Sequence, residues 1–88
     1  MNNTPEPDSR FNDFVYLQAQ NAGLFLGQLP NPATGEKSVN LKAAESVLDS
    51  LEMLSIKTRG NLTAEEADLL EKALLNLRSL HANIRDLG

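Results

Sequence analysis

The chain has 88 residues, 8 basic and 12 acidic side chains, and a formal net charge of −4. It holds no cysteine, no tryptophan and one histidine, which excludes disulfides, thiolate metal sites, Cys-His zinc fingers and cysteine nucleophiles. Folding hides only about 63% of the unfolded surface at this length, enough for one domain, and the acidic balance argues against nucleic acid, whose protein partners carry basic patches.

Residues 1–9 hold two prolines, two acids and no large apolar side chain beyond Met1. They are expected to form a disordered N-terminal lead, with 10–88 as a single helical domain. There is no basic n-region and no apolar h-region, so the reading is a cytoplasmic protein. The N-x-T matches at Asn2 and Asn61 are then coincidental.

The periodicity predicts a first helix over about Arg10 to Leu29. Phe11, Phe14, Val15, Ala19, Ala22, Phe25, Leu26 and Leu29 share one broad face at 100° per residue. Leu17 and Leu24 form a second, narrower stripe. Ala19, Gly23 and Gly27 follow at spacing four. They are either a groove for close approach of another backbone or glycines tolerated near a helix end. Gln18 sits within the broad apolar face. It either pairs across an oligomer interface and fixes register, or bonds a nearby backbone group or solvent. The stretch from Phe14 to Gly35 is uncharged. Its apolar part, Phe14 to Leu29, contains Gln18, Gln20, Asn21 and Gln28, and a membrane span needs about 20 predominantly apolar residues. No membrane partner is expected.

Pro30 to Ser38 reads as a loop, with Pro30 stopping the helix and Pro32 to Gly35 supplying turn chemistry. Gly35-Glu36-Lys37-Ser38 is not a phosphate-binding loop. Glu36 interrupts the required Gly-Lys-Ser run, the first glycine is missing, and no strand precedes it.

A second helix is expected from Leu41 to Thr58 with Asn40 as N-cap. Leu41, Ala44, Val47, Leu48, Leu51 and Leu54 make its apolar stripe, leaving Met53 and Ile56 exposed. Gly60 ends it as a C′ glycine. Thr63 and Glu66 form a capping box, with Leu62 as the hydrophobic staple. The third helix runs from about Ala64 to Asp86. Its stripe is Leu69, Leu70, Ala73, Leu74, Leu77, Leu80, Ile84 and Leu87, with Leu75 opposite. The short connection makes helices 2 and 3 an antiparallel hairpin. The fold class is all-α: a three-helix chain, completed as a bundle by oligomerisation.

No constellation supports catalysis. His81 has no carboxylate at i±3 or i±4 and reads as a half-buried packing histidine. Di-metal carboxylate bundles use an E-x-x-H motif, and Arg78 and Ile84 stand at the flanking positions instead. The chain is therefore read as a non-enzyme with no cofactor and no catalytic, cofactor-binding or metal residues. A helix that is apolar nearly all round belongs inside something, so the first expectation is self-association, as a dimer first of all, or docking on an unidentified protein. The candidate interface residues are Phe14, Leu17, Gln18, Gly23, Leu24, Gly27, Met53 and Ile56. The alternative is a small-ligand-binding helical module.

The loop Leu26-Gly27-Gln28-Leu29-Pro30-Asn31-Pro32-Ala33-Thr34-Gly35-Glu36 and the hinge Lys57-Thr58-Arg59-Gly60-Asn61-Leu62-Thr63 carry a resemblance. Together with the helix starting at Asn40-Leu41 and the closing leucine-rich helix with Leu77-Arg78, they are similar to the bacterial domain-of-unknown-function family 1844. The resemblance spans roughly Phe11 to Arg85. Arg59 stands where that family more often has lysine. The family has no assigned activity, so the resemblance implies a small bacterial domain and no mechanism.

Overall fold

Ten buried apolar side chains form the core of the computed structural model, which describes residues 5–87. Three helices supply them: α1 (Ser9–Phe25), α2 (Leu41–Lys57) and α3 (Ala64–Leu87). Val15 and Ala22 come from α1, and Leu26 from the residue after it. Ala44, Val47, Leu48 and Leu51 come from α2, and Leu70, Leu74 and Leu77 from α3. The three- and four-residue spacing puts each set on one stripe of its helix. Each helix packs against the other two, and the fold is all-α.

Helix α1 starts one residue before its expected beginning. Asp8 is its N-cap, with a side-chain oxygen accepting the Arg10 N–H at 3.0 Å. Asp8 and Ser9 are thus part of the helical unit. Residues 1–4 of the expected lead lie outside the described residues.

The helix also ends earlier, at Phe25 instead of Leu29. Leu26 is the C-cap, and Gly27 turns the chain with φ +74. The physical reason is a return contact from the far side of the loop. The Asn40 N–H donates to the Phe25 carbonyl at 2.6 Å, and Leu26 pairs with Val39 in an isolated antiparallel bridge. Leu26 is fully buried, so the bridge also fixes a core side chain. Pro30 stands beyond a turn already made.

The other boundaries follow local chemistry. Asn40 caps α2 by accepting the Ala43 N–H at 3.0 Å. Helix α2 ends at Lys57 with Thr58 as C-cap, so Gly60 lies one residue beyond the C′ position expected for it, where its φ of +85 turns the chain in a left-handed conformation that suits glycine. Thr63 Oγ1 accepts the Glu66 N–H at 3.1 Å, and Glu66 Oε1 accepts the Thr63 N–H at 2.9 Å, the reciprocal capping box. Met53, Ile56 and Leu75 are exposed, as their positions off the stripes required. Leu87 differs from expectation: it is 84% exposed, because α3 outruns the helices it packs on.

The body is elongated, 52 × 27 × 16 Å, with a radius of gyration of 14.6 Å. A globular chain of this length has a radius near 12 Å. The accessible surface is 6314 Å², against about 5,100 Å² expected for a folded monomer of this mass.

Candidate functional site

The lone histidine is a core residue of α3. His81 is 8% exposed. Its Nε2 is buried without a hydrogen-bond partner, and the nearest acidic oxygen, Glu45 Oε1 on α2, lies 3.4 Å away. That distance allows an ion pair if the ring is protonated, but the alignment is not that of a hydrogen bond. Sequence reasoning looked for a partner along α3 and missed one across the helix pair. Asn12 Oδ1 is the other buried side-chain atom without a partner among the described residues. Among the described residues no three His, Cys, Asp or Glu side chains converge as metal ligands would.

The loop after α1 satisfies its own amides. Asn31 Oδ1 accepts the Ala33 N–H at 2.8 Å, and the Asn31 carbonyl accepts the Gly35 N–H at 2.7 Å. Thr34 Oγ1 accepts the Glu36 N–H at 3.3 Å, and the Asn31 N–H donates to the Glu36 carbonyl at 2.8 Å. A phosphate cradle needs amides free to point at the ligand, and these are turned inward to the loop.

The candidate interface residues divide into three groups. Phe14 and Leu17 are 46% and 52% exposed on α1, with Leu24 half-buried about two turns beyond Leu17. Gln18 is half-buried at the edge between this face and the core side. Gly23 and Gly27 are already covered by the same chain. A Cβ on Gly23 would meet Leu29 Cδ1 at 3.4 Å, and one on Gly27 would meet Val39 Cγ2 at 3.0 Å. The close approach that their spacing suggested is thus made by the chain's own loop. Met53 and Ile56 form the third group on α2, where with Asp49, Glu52 and Lys57 they line an open groove of about 310 Å³.

A larger groove, about 350 Å³, adjoins the α1 face. Gln20, Asn21 and Leu24 form one wall, and Leu29, Pro30 and Pro32 the other. It exists because Leu29 folds back over Gly23.

The buried carboxylate of Glu66 was not visible as a long-range link. Beyond its capping role, its Oε2 accepts the Asp8 N–H at 2.9 Å. The Thr63 amide, and then the Asp8 amide, hold its carboxyl below the usual range. Asp8 itself is lowered to about 2, chiefly by its hydrogen bond with the Arg10 guanidinium.

No helix among the described residues is long and apolar enough to cross a membrane. Comparison with curated proteins and with solved structures found no match. A family model described as a domain of unknown function matches residues 8–82. The match starts at the α1 N-cap, takes in the loop and hinge, and ends near the close of α3, so the chain belongs to the DUF1844 family.

Proposed function

We propose that this protein works without catalysing a reaction, by associating with a second copy of itself or docking on another protein, in the cytoplasm. The carrying observation is the exposed apolar face of α1, where Phe14 and Leu17 keep about half their surface in water within the uncharged run Phe14 to Gly35. Isolated exposed apolar residues are ordinary, whereas a continuous patch marks an interaction site. In this reading α2 and α3 form an antiparallel hairpin. The order of their side-chain pairs supports it, since Glu45 meets His81 and Glu52 meets Arg78. A second chain then completes the bundle, and a homodimer is the favoured form.

Sedimentation equilibrium at micromolar concentration tests the reading. A mass of twice 9.6 kDa supports self-association, and the monomer mass overturns it and leaves docking on another protein. The groove of about 350 Å³ beside Leu24 and Leu29 favours a second reading, a small-ligand-binding module. A thermal-shift screen of metabolites on the monomer would reveal that activity, because ligand binding raises stability by mass action.

A further inference from the structure

We infer that the partner on α1 is a second copy of the same helix in parallel register, joined through Phe14, Leu17, Asn21 and Leu24, with Asn21 facing its own counterpart. The inference rests on the self-association reading above and specifies its surface.

The four residues follow at spacings of three, four and three, which is the a and d pattern of a two-helix seam. At 100° per residue the seam lies about 135° round α1 from the core stripe of Val15, Ala22 and Leu26. The exposures agree, with Val15, Ala22 and Leu26 at 0% and Phe14 and Leu17 at 46% and 52%. One helix therefore carries two apolar stripes, and its own chain covers only one of them.

Three observations favour a second copy as the occupant. The first is area. The chain exposes 6314 Å², on the order of 1,200 Å² more than a monomer of its mass should. That excess is spread over an elongated body, and its share on α1 is the half-exposed apolar surface of Phe14 and Leu17, the start of the roughly 800 Å² that each partner gives to a standard interface. The second is charge. Two copies each carry a net −4, so like charges repel over most approaches. The seam lies in the uncharged run from Phe14 to Gly35, where two copies meet without that cost. The third is shape. The seam runs directly into the groove of about 350 Å³ walled by Leu24, Leu29, Pro30 and Pro32, which has room for the counterpart of Leu24 to enter.

Asn21 sets the direction. At an a position in a parallel pair it faces its own counterpart, and the two amides can hydrogen-bond to each other. An antiparallel pair centred on this seam would set Asn21 against Leu17 and leave an amide against an apolar side chain. Parallel pairing also places Asp13 beside the counterpart of Gln18, and Arg10, one heptad before Leu17, faces its own counterpart with its charge already met by Asp8 at 2.7 Å.

The absence of cysteine allows a direct test with the full chain. Asn21→Cys, Leu17→Cys and Met53→Cys are made separately, oxidised at micromolar concentration and run without reductant. A disulfide needs Cα atoms within about 7 Å, so only residues facing their own counterparts cross-link. The expected result is that Asn21→Cys and Leu17→Cys each become mostly covalent dimer, while Met53→Cys stays monomeric on the gel. Two separate variants guard against one of them weakening the pair. Cross-linking at Met53→Cys alone overturns the seam and leaves self-association standing. Cross-linking only in a mixture of Leu17→Cys with Asn21→Cys overturns the parallel register. A monomeric unmodified chain in sedimentation overturns both readings and gives the face to a different protein.

Discussion

Glu66 Oε2 accepts the backbone N–H of Asp8 at 2.9 Å, joining two residues 58 positions apart. The other oxygen of the same carboxylate accepts the Thr63 N–H at 2.9 Å. One buried side chain thus serves the start of α3 and the N-cap of α1 together. Helix N-termini present unpaired amides and favour negative charge, and here a single carboxylate meets both demands. The N-terminal segment is tied to the body at this point.

The link makes stability depend on pH in a defined direction. The folded carboxyl of Glu66 lies below its ordinary value of 4.5, through the Thr63 and Asp8 amides. A lowered folded value means the fold favours the ionised form. The stability it contributes is complete above pH 4.5 and is lost as the pH falls through the folded value. Asp8, lowered from 3.8 to about 2 by Arg10, acts in the same sense, its contribution being present above pH 3.8 and lost as the pH falls towards 2. Melting curves at pH 7 and pH 3 should show a smaller loss on acidification in Glu66→Gln than in the unmodified chain. Equal losses would show that the carboxylate is not the group responsible.

Thr63→Ala removes the oxygen that accepts the Glu66 N–H. Loss of such a cap costs about 1 kcal/mol. Removing Lys57 and Arg59 together, both exposed, should leave stability nearly unchanged, as surface changes usually do. Urea denaturation distinguishes the two. If the double charge deletion kept the fold but abolished binding to a partner, the hinge would have to be a recognition site.

The two glycines near the end of α1 should respond in opposite ways to alanine. Gly27 has φ +74, and a Cβ there would stand 3.0 Å from Val39 Cγ2. Gly27→Ala should cost about 1–2 kcal/mol from the left-handed backbone alone. At Gly23 the neighbour is the flexible end of Leu29, at 3.4 Å. Gly23→Ala should be neutral or stabilising by up to about 1 kcal/mol, since alanine favours the helix. Matching shifts in urea midpoint would contradict the account of how α1 ends.

His81→Leu tests the histidine as a packing residue. The ring is buried and its Nε2 has no hydrogen-bond partner. Replacing a buried polar group by an apolar one of similar size is often neutral or stabilising. The melting temperature at pH 7 should hold or rise. A clear fall would mean that the contact with Glu45 holds α2 and α3 together.

How much of this was legible in the sequence depended on the span of each interaction. The start of α2 at Leu41 and of α3 at Ala64 could be read because Asn40 and Thr63 cap amides three residues away. The stripes of α2 and α3 followed from spacing alone. The end of α1 was misplaced because it is made by Val39 and Asn40, which reach back to Leu26 and Phe25. Pro30 looked like the terminator because it is the nearest local one. Of the candidate interface, Phe14, Leu17, Met53 and Ile56 lie exposed, whereas Gly23 and Gly27 are covered by Leu29 and Val39. No spacing rule links Gly27 to a residue across an irregular loop. The second role of Glu66 and the position of Glu45 beside His81 likewise depend on tertiary packing.

The central claim is self-association through the exposed face of α1. Sedimentation velocity on the unmodified chain, Leu17→Glu and Met53→Glu at one micromolar-range concentration tests it most directly. Leu17 and Met53 are 52% and 51% exposed, so neither change disturbs the core. The account predicts a species of twice 9.6 kDa for the unmodified chain and for Met53→Glu, and a monomer for Leu17→Glu. An unmodified chain that sediments as a monomer would contradict it, as would a Leu17→Glu variant that still pairs.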